Sequence, residues 1–152
     1  MKMKNIFESE ITSEIVNRIN KLTPITLNLW GRMNASQMLA HCNVTYEMVY
    51  TNNYPKPSFI KEFILKAVVK KAVVGGTPYQ KNGRTAPQFI ITNERDFEEE
   101  KNLLIGYLIK TQNLGETHFN GKKSHSFGTL TSIEWSNLFY KHIDHHLSQF
   151  GV

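Results

Sequence analysis

The chain has 152 residues, 40% of them hydrophobic and 20% charged, a composition that fits one ordinary globular domain able to build a core without covalent help. Its single cysteine, Cys42, excludes an internal disulfide and any multi-cysteine zinc motif, and points to a reducing compartment. Net charge is +5 but uneven: residues 54–86 carry Lys56, Lys61, Lys66, Lys70, Lys71, Lys81 and Arg84 against Glu62 alone, so attraction to an anionic partner would come from this segment.

At the N-terminus, Glu8 and Glu10 arrive before any apolar stretch of signal-peptide length. The first helix is expected from about Glu8 to Leu22, with Ile11, Ile15, Val16, Ile19 and Leu22 on one face and Pro24 beyond its end. After the turn-like Trp30-Gly31-Arg32, a second helix is expected from about Ala35 to Tyr50. Its inner stripe reads Met38, His41, Thr45 and Met48, with Ser36, Asn43 and Glu47 outside.

Residues 51–94 form an insertion too long for a bare loop in so compact a domain. It holds a helical window from Ser58 to Val74, closed by Gly75-Gly76, then an Asn82-Gly83 turn and a Phe89-Ile90-Ile91-Thr92 run expected to be extended. Phe59 to Val74 is the most apolar window, yet Lys61, Glu62, Lys66, Lys70 and Lys71 interrupt it, far from the ~20 apolar residues a spanning helix needs. The expectation is a soluble, cytoplasmic protein without stable membrane insertion.

A third main helix is expected from near Asp96 to Leu114-Gly115, with Glu98, Glu99 and Glu100 at the positive end of its dipole. The fourth starts at Thr131-Ser132-Ile133-Glu134, a capping-box pattern, and runs to about Phe150. So long an insertion can carry the chain the length of a bundle, which lets the second and third main helices run parallel. The fold class is therefore all-α: a single domain over residues 1–152, built as a four-helix bundle with a helical insertion.

Along the last helix Glu134, Asn137, Lys141, Asp144 and Ser148 repeat at 3 and 4 and mark an expected solvent face. His142 and His146 lie on the opposite stripe with Trp135, Leu138 and Phe139. Residues four apart differ by about 40° around the axis, so both rings can converge on one ion. An ion would also satisfy two imidazoles that an apolar core would otherwise leave needing separate partners. A catalytic zinc-type site takes three protein ligands, and His41 on the second helix is the candidate third. His145, three residues after His142, could replace His146. His118 and His125 fall in what reads as a surface loop.

The run Met38-Leu39-Ala40-His41 after Trp30, together with His142-x-x-x-His146 inside the closing His-x-x-His-His-x-x-Gln-Phe-Gly string, resembles the DinB/YfiT-like superfamily, in a branch without an assigned reaction. The resemblance covers nearly the whole chain and is loosest over residues 54–93. It implies an up-down-down-up four-helix bundle and a divalent metal, zinc or nickel above all, held by His41, His142 and His146. It also implies the activities of its relatives, which are transferases and isomerases that use low-molecular-weight thiols, and proteins classed as metal-dependent hydrolases.

Gln37, one turn before His41, and Gln149, three residues after His146, are placed to orient imidazoles from the outer shell, with His145 a further candidate. Asp144 reads as a salt-bridge or water contact, and Cys42 as a buried inert thiol. No Ser/His/Asp order, phosphate loop or nucleotide fingerprint occurs, and no nucleic-acid motif accompanies the basic insertion, so nucleic acid is not an expected partner. The expected partner is a small molecule, anionic or electrophilic; a homodimer is left open. The basic insertion is expected beside the open end of the bundle, as a lid that influences access to the metal, with Lys66 and Lys70 steering an anion. The competing expectation is a non-enzymatic bundle in which the ion is structural or the pocket holds a small ligand.

Overall fold

A computed structural model describes residues 3–152, and every regular element among them is helical. We name the helices α1 (Ser9–Asn20), α2 (Ala35–Tyr50), α3, α4 (Phe97–Phe119) and α5 (Ser132–Gln149). Helix α3 joins Phe59–Ile64 and Lys70–Val74 through a π-helical turn, Leu65–Val69, and a 3-10 turn, Pro87–Phe89, follows it.

Side-chain caps set three of the starts. Asn34 and Gln37 form a capping box on α2, Asp96 accepts from the Glu99 amide at α4, and Thr131 and Glu134 form the expected capping box on α5. Replacing Thr131 with alanine frees the Glu134 amide, and we expect a loss of about 1 kcal/mol in denaturant unfolding with little change in slope. Helix α4 passes its expected end: Gly115, at φ 71° and ψ 178°, breaks the regular helix, and the chain then makes one more turn to Phe119. A side chain with a Cβ would be strained at that φ. In the insertion, Asn82 adopts φ 57° in its turn, whereas Phe89 closes the 3-10 turn rather than starting a strand.

Helix α2 is the central element. Met38 through Tyr46 are all buried, so the expectation that Asn43 faces outward is corrected. Asn43 is 1% exposed, and its amide donates to the Glu100 carbonyl at 3.0 Å and the Glu100 carboxylate at 2.8 Å. A helix covered on several sides has no solvent face along its middle, and a polar residue there must find protein partners.

The polar stripe of α5 is corrected in the same way. Lys141 is 2% exposed and its Nζ donates to the Ala72 and Gly75 carbonyls, both at 2.7 Å. Asn137 donates to the Val74 carbonyl at 2.9 Å, and Lys70 pairs with Glu134 at 3.0 Å. Asp144 pairs with Arg18 of α1 at 2.7 Å. The last carbonyls of any helix lack helical donors, and here the end of α3 is satisfied by α5 side chains. The stripe is a hydrogen-bonded seam against α3 and α1.

Behind this seam the core is aromatic. Tyr50, Tyr107, Tyr46, Phe139, Trp135, Phe119 and Phe7 form a continuous chain of ring contacts that ties α2, α4 and α5 to the N-terminal segment. Ile6 donates its amide to Ser136 Oγ at 3.0 Å, and Tyr50 shares a hydrogen bond with Thr111 at 2.7 Å. No helix among the described residues is long and apolar enough to cross a membrane.

Candidate metal centre

His41 comes from the buried middle of α2, and His142 and His146 from consecutive turns of α5. One ligand atom from each lies within 4.8 Å of those of the other two, so the three expected histidines are brought together. His41 Nε2 is 2.9 Å from His142 Nε2, and the His41 and His146 ring centroids are 4.4 Å apart.

The other side of each ring is occupied. His41 Nδ1 donates to the Phe89 carbonyl at 2.8 Å. His146 Nδ1 donates to Gln149 Oε1 at 2.8 Å, while the Gln149 amide nitrogen donates to the Trp30 carbonyl at 2.7 Å and so fixes which end of the amide faces the ring. A neutral imidazole with its proton on Nδ1 carries a lone pair on Nε2, so His41 and His146 aim acceptors at one point. His142 Nδ1 is 2.9 Å from Thr45 Oγ1, a hydroxyl able to accept from that nitrogen or donate to it. His142 can therefore present a lone pair to an ion, or place a proton between itself and His41.

Burial favours the neutral rings. Desolvation lowers the pKa of all three: His146 falls to about 3, His142 is pushed well below its ordinary value with the neighbouring histidines adding to the effect, and His41 is lowered although its bond to Phe89 acts the other way. Three neutral imidazoles with convergent nitrogen atoms are the donor set a divalent ion takes, and could hold one.

Gln149 therefore contacts a ring of the cluster, whereas Gln37 does not. The Gln37 side chain accepts from the Asn34 amide and donates to the Asn93 carbonyl, because it stands in the first turn of α2, where unpaired backbone amides compete for it. Gly31 leaves room for Gln149: it sits at φ 83°, and a Cβ there would collide with the Gln149 amide. Replacing Gln149 with leucine should lower metal affinity roughly 10- to 100-fold, read by competition with a chelator, because the His146 ring loses its orienting acceptor.

The cluster lies at the wall of a cavity of about 360 Å³. Met48, Val49, Leu65, Val69, Phe127 and Leu138 make most of it apolar, and the insertion contributes Leu65, Val69, Val73 and Tyr79 to its lining. Its lysines do not face inward: Lys66 pairs with Glu62, Lys70 with Glu134, and Lys81 lies over the Trp30 ring. Arg84 is the one formally charged side chain, histidines aside, among the residues lining the cavity, and no carboxylate lines it. An anion entering this cavity would meet Arg84 rather than the Lys66 and Lys70 pair.

His145 stands beside the cluster, its ring 5.1 Å from His146 and 5.7 Å from Tyr79, but outside the converging set. His125, read as a surface-loop residue, lines the cavity, with Nδ1 2.7 Å from Ser126 Oγ; His118, read the same way, is exposed but belongs to the last turn of α4. Cys42 is buried, and desolvation raises its thiol far from reactivity. Thr45 was recognisable on the His41 stripe four residues on. The Phe89 carbonyl carried no sequence signal.

Residues 3–151 match the family described as protein of unknown function (DUF1569), and the chain belongs to that family. No curated protein and no solved structure matches it.

Proposed function

We propose that the protein binds one divalent metal ion, zinc or nickel, through His41, His142 and His146 in a DinB-like bundle, and that it is a metal-dependent enzyme acting on a small molecule. The reaction is transfer of a low-molecular-weight thiol or hydrolysis. The observation carrying this reading is the convergence of the three ring nitrogens beside an apolar cavity, with a separate partner on each Nδ1.

Three pairs of contacts support an up-down-down-up course for α1, α2, α4 and α5. Asn43 with Glu100 and Tyr50 with Thr111 advance together along α2 and α4. Ile6 with Ser136 and Arg18 with Asp144 advance together along the N-terminal segment with α1 and along α5. His41 with His146 and Tyr46 with Phe139 run in opposite senses on α2 and α5.

Held by His41, His142 and His146, a divalent ion would supply Lewis-acid chemistry toward a water or thiol. The chain's own residues do the rest. Thr45, the Phe89 carbonyl and Gln149 hold the rings in place, and the apolar walls limit water. His145, half-buried and without a hydrogen bond from its ring nitrogens among the described residues, is the group free to carry a proton, since no carboxylate lines the cavity.

The rival, a purely structural ion, calls for a fourth protein ligand that closes the site. The described residues supply three, and the cluster opens on a cavity, which favours catalysis. Metal-loaded protein should be assayed for thiol transfer to electrophiles and for ester and amide hydrolysis. We expect one of these activities, lost on chelation and in His142→Ala. Inactivity in all of them, with the ion stoichiometrically bound, would replace the enzymatic reading with the structural one.

A further inference from the structure

We propose that the outward face of α3 docks on an anionic lipid surface. A repeat of four along this helix divides it into four columns. Lys61, Leu65, Val69 and Val73 form the column whose three apolar members line the cavity. Glu62, Lys66, Lys70 and Val74 form the column that meets α5, through the Lys70–Glu134 pair and buried Val74.

The other two columns face solvent. They are Phe59, Phe63, Ala67 and Lys71, and Ile60, Ile64, Val68 and Ala72, and every one of these residues is exposed. Phe59 is 85% exposed, Ile60 73%, Phe63 67% and Val68 72%. In a plain α-helix each step of four overshoots a full turn by about 40°, so such columns would spiral away. The wider π turn at Leu65–Val69 takes up that drift, which keeps both apolar columns on one side and the cavity column on the other.

A contiguous apolar strip holding two phenylalanines marks a contact surface on a soluble domain. Its charge selects the occupant. The strip lies in the segment with net +6, and Lys56, Lys61 and Lys71 are exposed without an ion pair among the described residues. An apolar face flanked by lysines is the pattern of a helix lying in a bilayer interface, where anionic headgroups meet the ammonium groups. A second copy suits it less well, because a two-fold contact through α3 would set this cationic segment against itself. The surface is separate from the histidine cluster, so the proposal does not rest on the metal.

The test is co-sedimentation of the full chain, with and without chelator, with vesicles of phosphatidylcholine alone and of phosphatidylcholine and phosphatidylglycerol in equal parts. We expect retention by the anionic vesicles only, weaker at high salt. Phe59→Ser with Phe63→Ser, and separately Lys61→Glu with Lys71→Glu, should each lower it on the order of tenfold. All four side chains are exposed, so the fold should survive, and circular dichroism checks this. A tryptophan at Phe63→Trp should be quenched by brominated lipid. Absence of wild-type retention, equal retention by folded variants, or a dimer in sedimentation equilibrium that Phe63→Ser dissociates would each overturn the proposal.

Discussion

Acidifying the metal-free protein below pH 6.5 should remove several kcal/mol of stability, enough to unfold it before pH 3 is reached. The folded-state pKa values of His41, His142 and His146 are all lowered, while the unfolded chain protonates its histidines near 6.5. Between those limits the unfolded state binds more protons, so stability is intact above pH 6.5 and falls as pH drops through the window. For His146, lowered to about 3, the integrated difference is on the order of 4 kcal/mol, a large share of the ~5–15 kcal/mol a domain possesses. The check is urea unfolding of chelator-treated protein at half-unit pH steps. A bound divalent ion needs the same unprotonated nitrogens, so saturating metal should raise stability at pH 7 and shift the acid transition lower. A flat profile from pH 7 to 4 would contradict the buried neutral cluster.

The second large effect is expected from Lys141→Met. The substitution keeps most of the side-chain length and removes an ammonium that donates to two carbonyls at the end of α3. Hydrogen bonds from a charged group contribute about 1.5–3 kcal/mol each, and both carbonyls would be left without donors. Relief of the desolvation that pushes the lysine pKa down to about 8 offsets part of this, so a net loss of about 2 kcal/mol is expected. The loss should fall on the docking of α3 rather than on the aromatic core. Hydrogen exchange should therefore quicken in residues 59–75, with α2 and α4 nearly unchanged. Uniform acceleration would mean that Lys141 holds the whole bundle, and no acceleration would mean that α3 docks without it.

Lys141 also shows what periodicity can and cannot reveal. A polar stripe at helical spacing looks the same whether it faces water or a row of unpaired carbonyls, so the α5 stripe read as solvent-facing. Asn43 failed for the same reason, being polar by composition but held by Glu100. By contrast, Thr131-x-x-Glu134, and the inward placement of His41, His142 and His146, depend on neighbours within a turn or on one helix face, and were readable. Gln37 and Gln149 stand at similar distances from a histidine, yet one is claimed by a helix start and the other by His146. Phe89 contributes a backbone carbonyl, and Tyr79 and Arg84 arrive on an irregular segment. No local pattern announces these.

Metal binding by the three histidines is read from the number of ions retained per chain after zinc or nickel loading and gel filtration. The measurement should be made for wild type and for His41→Ala, His142→Ala and His146→Ala, with folding verified by circular dichroism. We expect one ion per wild-type chain and a loss of affinity in each folded variant exceeding the roughly 100-fold that removal of an outer partner costs. A wild type that retains no ion, or folded variants that retain it as well as wild type, would contradict the three-histidine site.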